Sequence, residues 1–125
     1  ILNSFYNKAK NNGISVSVKA DTREETSIKD MDFVAILSNL LENAVNGCLE
    51  CESRGEIRVD IRSVEDKAVI VCSNPCRRDI PIENNMIKNR GIGISSMLSA
   101  IRKYDGDISY SLDDGILTVC IILNI

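Results

Sequence analysis

The strand-like segments of this chain come in adjacent pairs, and helical segments separate the pairs. Alternating or unbroken apolar residues predict five strands, at 14–18, 57–61, 68–72, 108–112 and 116–123. Helices are expected at 1–11, from a capping residue (Asp30 or Asp32) to about 52, and at about 94–104. The order α-β-α-β-β-loop-α-β-β predicts an α/β (α+β) two-layer sandwich, a mixed sheet with helices packed on one face.

Three connections are also readable. Gly13 stands where the first helix should stop, Glu65-Asp66 should form a turn, and Asp113-Asp114-Gly115 should form a hairpin turn. Residues 75–90 lack periodicity and predict a long loop, which makes them a functional candidate. The apolar density of 116–123 predicts a strand buried on both faces.

The length of the chain and its charge limit the classes of function. Its 125 residues suit one domain, 1–125, and a 44% apolar fraction supports a hydrophobic core. The net charge of −3 gives no electrostatic argument for binding nucleic acid or an anionic membrane. No apolar run approaches the ~20 residues that a membrane-spanning helix needs. The first residues resemble neither a signal peptide nor a start, so we expect a segment of a longer protein.

The chain contains no histidine, which excludes several kinds of chemistry. A Ser-His-Asp triad, a histidine-ligated metal and a histidine general base all require a side chain that is missing here. The five cysteines are an odd number, which argues against a fully paired disulfide framework. Cys48 and Cys51 have the spacing of half a zinc site, but no second half follows, so buried reduced thiols are the favoured interpretation.

The second helix carries amides on the side opposite its apolar stripe. That polar side consists of Asn39, Glu42, Asn43, Asn46 and Glu50. Asparagine is a poor helix former, and each one costs about half a kcal/mol against better formers. An amide oxygen can bind Mg²⁺ without adding charge beside a triphosphate. The pattern therefore indicates a binding wall, with an ordinary exposed face as the alternative.

The long loop joins the third helix through the sequence NRGIGIS at 89–95. The glycines Gly91 and Gly93 let backbone approach a ligand closely, and the free N–H groups of a helix start favour phosphate. Lys88 and Arg90 lie just upstream and are candidates for contacts with phosphate oxygens. A glycine pair alone is weak evidence, and a purely structural helix entry is the alternative.

Together these segments resemble the GHKL superfamily of ATPases and kinases. ILSNLLENA at 36–44 is similar to its N box, RGIGI at 90–94 to its second glycine box, and KYDGD at 103–107 to the following turn. Within the superfamily, the chain looks most like the catalytic domain of sensor histidine kinases of the Agr-like quorum-sensing type. The resemblance implies the Bergerat ATP-binding fold and the ligands ATP and Mg²⁺.

The resemblance also implies roles for the amides of the N box. Asn43 is expected to ligate the Mg²⁺ that bridges the ATP phosphates. Asn39 occupies the position where hydrolysing relatives typically carry a water-activating glutamate; an amide cannot take that proton, which favours phosphoryl transfer. Glu42 is expected to act as a base or to orient a partner, and Asn46 is a further candidate for nucleotide contact.

Nucleotide contacts are also implied for the glycine boxes. Lys88, Arg90, Gly91, Gly93 and Ile94 are the candidates in the second box. The first glycine box usually reads DxGxG, and its aspartate receives the adenine amino group. This chain has SNPC at 73–76, where Asn74 is expected to accept the same hydrogen bond through its carbonyl oxygen, as in Agr-like kinases.

The expected function is transfer of the ATP γ-phosphoryl group to a histidine on a dimerisation domain outside this chain. The resemblance implies a homodimeric parent, a downstream response regulator, and a cytoplasmic domain of a membrane-anchored sensor. It implies no nucleic acid and no membrane contact by the domain itself. Two alternatives stay open: a serine kinase acting on an anti-sigma antagonist, and a degenerate, non-catalytic module that binds a nucleotide or a protein.

Overall fold

The computed structural model describes residues 2–21, 28–51, 55–76, 82–83, 86–87 and 92–124. Its helices are α1 (Leu2–Asn11), α2 (Asp30–Glu50) and α3 (Ile92–Lys103). Its strands are β1 (Ser15–Asp21), β2 (Glu56–Val64), β3 (Lys67–Pro75), β4 (Ile82–Glu83), β5 (Met86–Ile87), β6 (Asp107–Asp113) and β7 (Ile116–Asn124). All predicted helices and strands are present in the predicted sequence, and β4 and β5 are two additional strands within the predicted loop.

Five strands form one mixed sheet in the order β1-β2-β3-β7-β6. β1 pairs with β2 in parallel, and the pairs β2–β3, β3–β7 and β6–β7 are antiparallel. Adjacent strands in sequence therefore form two hairpins that meet through β3 and β7. β4 and β5 form a separate two-stranded sheet.

One face of the sheet carries the core. Residues of β2, β3 and β7 alternate between buried and more exposed positions, as strands covered on one side do. From α2, the residues Ile36, Leu37, Leu40, Leu41, Ala44, Val45 and Cys48 are buried and complete this core. The predicted two-layer sandwich with helices on one face is confirmed.

Strand β7 differs from its prediction. Its side chains alternate, with Leu117, Val119, Ile121 and Leu123 buried, while Thr118, Cys120 and Ile122 are only half-buried. Burial on both faces was therefore wrong, because this sheet is covered by helices on one side. The apolar residues on the other side are shielded in part by neighbouring strands rather than by a second layer.

The described parts of the segment 75–90 contain strand residues that the sequence does not indicate. β3 extends through Pro75, and the short strands β4 and β5 pair through Ile82–Ile87 and Glu83–Met86. Two residues per strand are too few to produce a visible period, which is why this segment reads as a structureless loop.

The start of α2 corrects a further expectation. Neither Asp30 nor Asp32 is the cap; Lys29 holds that position with extended backbone and no side-chain capping bond. Both aspartates lie in the first turn, where negative charge favours the helix dipole. Asp32 instead accepts hydrogen bonds from α3, which local sequence cannot reveal.

The predicted turns are confirmed. Gly13 follows α1 with a φ of 72°, a conformation that side chains disfavour. Asp114 and Gly115 have φ values of 49° and 76°, as both central residues of a type I′ hairpin turn require. In the described parts of the chain, no helix is long and apolar enough to cross a membrane.

Candidate functional site

Helix α2 separates its apolar and polar residues as the sequence predicts. Glu42, Asn43 and Asn46 are exposed, and Asn39 is partly buried. Asn39, Asn43 and Asn46 follow a spacing of four and three residues, which places them along one face of the helix. The amides are therefore displayed together, and the side chains of Asn43 and Asn46 are accessible to a ligand.

The amide of Asn39 is partly used by its own helix. Its Nδ2 donates to the carbonyl oxygen of Ala35 at 2.7 Å. Such a bond back to the preceding turn holds the side chain against the helix. Asn39 therefore presents its carbonyl oxygen, and not its nitrogen, away from this contact.

Asn74 is the one buried polar side chain among the residues described, with 3% of its surface exposed. It lies on the helix-facing side of β3, in register with Ile70 and Cys72. Its Nδ2 donates to the carbonyl oxygen of Pro75 at 2.8 Å. Because only the nitrogen can donate there, this contact fixes which way round the amide stands.

The amide of Asn74 also carries an oxygen, which can accept hydrogen bonds. Within the described residues, the bond to Pro75 is the hydrogen bond that the side chain makes. Buried polar groups are almost always paired, because an unpaired one costs about 1–3 kcal/mol. A buried amide with an acceptor to spare is therefore a candidate contact for a ligand.

Gly47 makes the position of Asn74 attainable. A Cβ atom at Gly47 would lie 2.6 Å from the Nδ2 of Asn74 and 3.6 Å from the Pro75 carbonyl oxygen. Since real Cβ contacts are not that short, any side chain at 47 would displace the amide. Gly47 follows Asn43 by one helical turn, so α2 joins the exposed amides to the buried one.

The contacts at the end of α3 indicate where its start lies along α2. The end of α3 is tied to the start of α2, since Tyr104 and Lys103 both contact Asp32. The two helices pack together, and both rise about 1.5 Å per residue. Gly93 lies eleven residues before Tyr104, and Asn43 lies eleven residues after Asp32. If the two helices run side by side in opposite directions, Gly93 and Asn43 are therefore at about the same level.

Gly93 and Ile94 both belong to the first turn of α3, since the helix begins at Ile92 and not near Ile94 as expected. Backbone N–H groups in a first turn lack partners within the helix and can face an anion. The proximity of Gly93 and Ile94 to the N box is therefore an inference from helix length and packing. Lys88, Arg90 and Gly91 lie outside the described residues, so their predicted phosphate contacts stay predictions.

Several cysteines lie near Gly47 and Asn74. Cys48 and Cys76 are buried, and Cys51 donates to the Cys48 carbonyl oxygen at 3.5 Å. Burial, with smaller contributions from Cys51 and Cys76, raises the pKa of Cys48 to about 11, and burial raises the pKa of Cys72 to about 12. Cys48 and Cys72 are therefore protonated at neutral pH and are poor nucleophiles and poor metal ligands in that form.

Sequence reasoning missed Gly47 and the carbonyl of Pro75. A signal for Gly47 was available, because glycine inside a helix costs about 1 kcal/mol relative to alanine and often has a packing reason. No signal in the sequence indicates that the Pro75 carbonyl accepts from the residue before it. That contact depends on how β3 ends.

The family comparison identifies the domain. The model of the GHKL domain family matches residues 28–124, which include α2, the sheet from β2 onward and α3. No curated protein matches the chain in sequence.

Solved structures share the fold. The catalytic domain of the histidine kinase ThkA aligns over 98% of this chain and 89% of its own, with a TM-score of 0.72 and 15% identity. The histidine kinase domain of a blue-light activated kinase from Erythrobacter litoralis aligns over 98% and 56%, with a TM-score of 0.79 and 13% identity. Full-length ShkA in complex with AMPPNP aligns over 97% and 27%, with a TM-score of 0.75 and 14% identity. With the family model matching most of the chain, this protein belongs to the GHKL domain family.

Proposed function

We propose that this chain is the ATP-binding catalytic domain of a two-component sensor histidine kinase, of the Agr-like quorum-sensing type. It transfers the γ-phosphoryl group of ATP to a histidine on a dimerisation domain outside these residues. The observation that carries the proposal is the buried amide of Asn74, which faces α2 with its nitrogen bonded and its oxygen available. A purine base has complementary donors for such an oxygen.

The residues of the site fit ATP and Mg²⁺. The acceptor of Asn74, whose amide lies against Gly47, suits the edge of a base that carries an amino group. Asn43 is exposed one turn before Gly47 and offers one neutral oxygen to a metal. Mg²⁺ is typically held by one or two protein oxygens together with waters and phosphates, so a single amide ligand is sufficient. When bound, the metal supplies charge neutralisation between the phosphates.

The remaining residues act by positioning and electrostatics. Gly93 and Ile94 present first-turn N–H groups to the phosphates at about the level of Asn43. Lys88, Arg90 and Gly91 add contacts to the phosphate oxygens from the preceding segment. Holding the reacting groups in line and balancing their charge provides most of the catalysis of phosphoryl transfer.

The amide at position 39 favours transfer over hydrolysis. Asn39 cannot accept a proton from water, and its nitrogen is already bonded to the Ala35 carbonyl oxygen. Glu42 is exposed on the same helix and is the carboxylate available to act as a base or to orient the acceptor histidine. Asn46, also exposed, is a secondary nucleotide contact.

Fold similarity supports this proposal. The aligned structures include histidine kinases, and one of them was solved with AMPPNP. By this analogy the parent protein is a homodimer anchored in a membrane, and its phosphoryl group passes to a response regulator. Neither step requires this domain to contact nucleic acid or the membrane.

Thermal unfolding with ATP tests the proposal. We expect ATP to raise the Tm in the presence of Mg²⁺ and to raise it less without the metal. A ligand at 100 times its Kd stabilises the folded state by about 2.7 kcal/mol, which is readily measured. No shift at millimolar ATP would sink the proposal.

A phosphotransfer assay separates the kinase from a non-catalytic nucleotide binder. The chain is mixed with labelled ATP, Mg²⁺ and the histidine-bearing dimerisation domain of its parent. We expect acid-labile label on that domain and none on the chain itself, which contains no histidine. A Tm shift without any transfer would exclude the histidine kinase and leave the binding module or the serine kinase, whose substrate is a separate antagonist protein.

A further inference from the structure

We propose that Gly47 is a positioning residue that sets the base selectivity of this site, because it holds the amide of Asn74 in a single orientation. The inference rests on the proposed function, since it concerns the contact between Asn74 and the base of the nucleotide. It assigns the choice between a 6-amino purine and a 6-oxo purine to a residue without a side chain.

An asparagine amide does not by itself distinguish a base with an amino group from a base with a carbonyl group. Its oxygen can accept from an amino group, and its NH₂ can donate to a carbonyl. A freely rotating Asn74 would therefore pair with the 6-amino group of adenine or, after a flip, with the 6-oxo group of hypoxanthine or guanine. Selectivity then requires something that prevents the flip.

The carbonyl oxygen of Pro75 provides the first restraint. It lies 2.8 Å from the Nδ2 of Asn74 and accepts its hydrogen bond. A flipped amide would place its own oxygen against this carbonyl, which replaces a hydrogen bond by repulsion between two acceptors. Because Asn74 is 3% exposed, water is not at hand to relieve that repulsion.

Gly47 provides the second restraint. The bonded position of the amide leaves only 2.6 Å between Nδ2 and an ideal Cβ at residue 47. The amide can therefore reach the Pro75 carbonyl only when position 47 carries no side chain. With alanine there, the NH₂ group must move away, and the restraint on its orientation is lost.

The consequence is that the amide can offer a purine its oxygen, an acceptor, while its NH₂ group is held at the Pro75 carbonyl. The 6-amino group of ATP can donate a hydrogen bond to the Asn74 oxygen. ITP has a 6-oxo group in its place, so two acceptors would face each other. Sites built around a buried polar contact reject a mismatched analogue strongly, because both groups lose a partner. We expect the chain to bind ATP at least tenfold more tightly than ITP.

The test measures the Kd values of ATP and ITP, with Mg²⁺, by competition against a fluorescent ATP analogue. For Gly47→Ala we expect ATP to bind about fivefold to tenfold more weakly and the ATP/ITP ratio to fall to about threefold or less. Leu49→Ala, on the outward side of the same helix, should keep both wild-type values. Circular dichroism melts establish that each variant is folded.

A double variant shows whether the effect passes through Asn74. In an Asn74→Ala background the amide is gone, so Gly47→Ala has room and should not change either Kd further. If Gly47→Ala weakens ATP binding equally with and without Asn74, the proposed positioning role is wrong. Should Gly47→Ala alone fail to fold, the double variant should restore folding, and a double variant that also fails would equally refute the role.

The outcomes separate this inference from the proposed function. A wild-type chain that binds neither nucleotide contradicts the proposed function. A wild-type chain that binds ATP and ITP equally contradicts the selectivity inference and leaves the function standing. A strong preference for ATP that survives in Gly47→Ala shows that another residue sets the selectivity, which also overturns the inference.

Discussion

The two ends of helix α2 handle their polar groups in opposite ways. At its start, which we term the tied end, Asp32 accepts from the Tyr104 hydroxyl at 2.5 Å and from Lys103 Nζ at 2.9 Å. The same hydroxyl accepts from the backbone N–H of Lys29 at 2.9 Å. Toward its other end, which we term the open end, the Asn74 amide lies against Gly47 with one of its two groups bonded.

Strand ends reinforce this difference. At the tied end, Asn124 at the close of β7 donates to Asp105 and accepts from Lys67, the first residue of β3. At the open end, the last residues of β3 face a helix position that has no side chain. Mutually saturated groups stabilise a fold, whereas a buried group with spare capacity indicates a ligand. The comparison therefore predicts that changes at the tied end alter stability and changes at the open end alter binding.

The largest effect is expected from Asn43→Ala at the open end. Losing the proposed metal ligand should reduce phosphotransfer to the dimerisation domain about 1,000-fold, which corresponds to about 4 kcal/mol in the barrier. Stability should rise slightly, because alanine is the better helix former at this exposed position. Met31→Ala, 83% exposed in the first turn of α2, should retain wild-type transfer. Full Mg²⁺-dependent activity of Asn43→Ala would remove Asn43 from the site.

A large loss of stability is expected from Gly106→Ala at the tied end. A Cβ there would overlap the backbone carbonyl oxygen of Ile122 and lie 2.9 Å from the side chain of Leu123. Backbone of a central strand cannot move aside cheaply, so we expect a loss of about 3 kcal/mol in urea unfolding. The Kd for ATP of the folded variant should stay within about twofold of wild type. A large change in the Kd for ATP at unchanged stability would show that the tied end affects binding and not stability, which contradicts the prediction.

Removing the Tyr104 hydroxyl should have a smaller effect. Tyr104→Phe loses the hydrogen bond to Asp32 and leaves the Lys29 N–H without its acceptor. We expect a loss of about 1 kcal/mol in the free energy of unfolding, with ATP affinity unchanged. Tyr6→Phe, on an exposed tyrosine of α1, is the matched control and should not change stability. Equal effects of the two substitutions would show that the tied end adds nothing specific.

The smallest effect is expected on the acid sensitivity of the unfolding free energy, through Asp32. Hydrogen bonds from Tyr104 first, and then from Lys103, hold the pKa of Asp32 below its ordinary value of 3.8. The unfolded chain therefore binds this proton more readily, so the stabilisation is full only well above pH 3.8 and is lost as the pH falls through 3.8 and then through the lower pKa of the folded state. Asp32→Asn should flatten the fall in unfolding free energy between about pH 5 and 3. Asp30→Asn, exposed in the same turn, should leave that fall in place.

Elements whose patterns are local were predictable. The apolar stripe of α2, the alternation of β2 and the Asp114-Gly115 turn each depend on neighbours in sequence, and each is confirmed. For β7, the density of apolar residues gave the wrong prediction of burial on both faces. Density alone does not distinguish a strand covered on one face from a strand covered on both. The capping role given to Asp32 was wrong because its partner, Tyr104, lies 72 positions away.

The site was predictable in part for the same reason. Asn39, Asn43 and Asn46 share a helix face, and their spacing alone places them together. Asn74 was singled out through a resemblance, but its burial follows from the inward register of β3. Gly47 and the Pro75 carbonyl form a contact between two elements, which no periodicity encodes.

The pairing of β3 with β7 has a consequence for how the chain tolerates change. Pro75 pairs with Ile116, so the chain from the end of β3 to the start of β6 must close as one loop between the two hairpins. Each hairpin can form from contacts near in sequence, whereas joining them requires closing this loop. The entropy of closure grows only with the logarithm of loop length, about 0.6 kcal/mol for each doubling. A few residues inserted between Pro75 and α3 should therefore cost the fold little, so the stability of the sheet constrains the length of this connection only weakly.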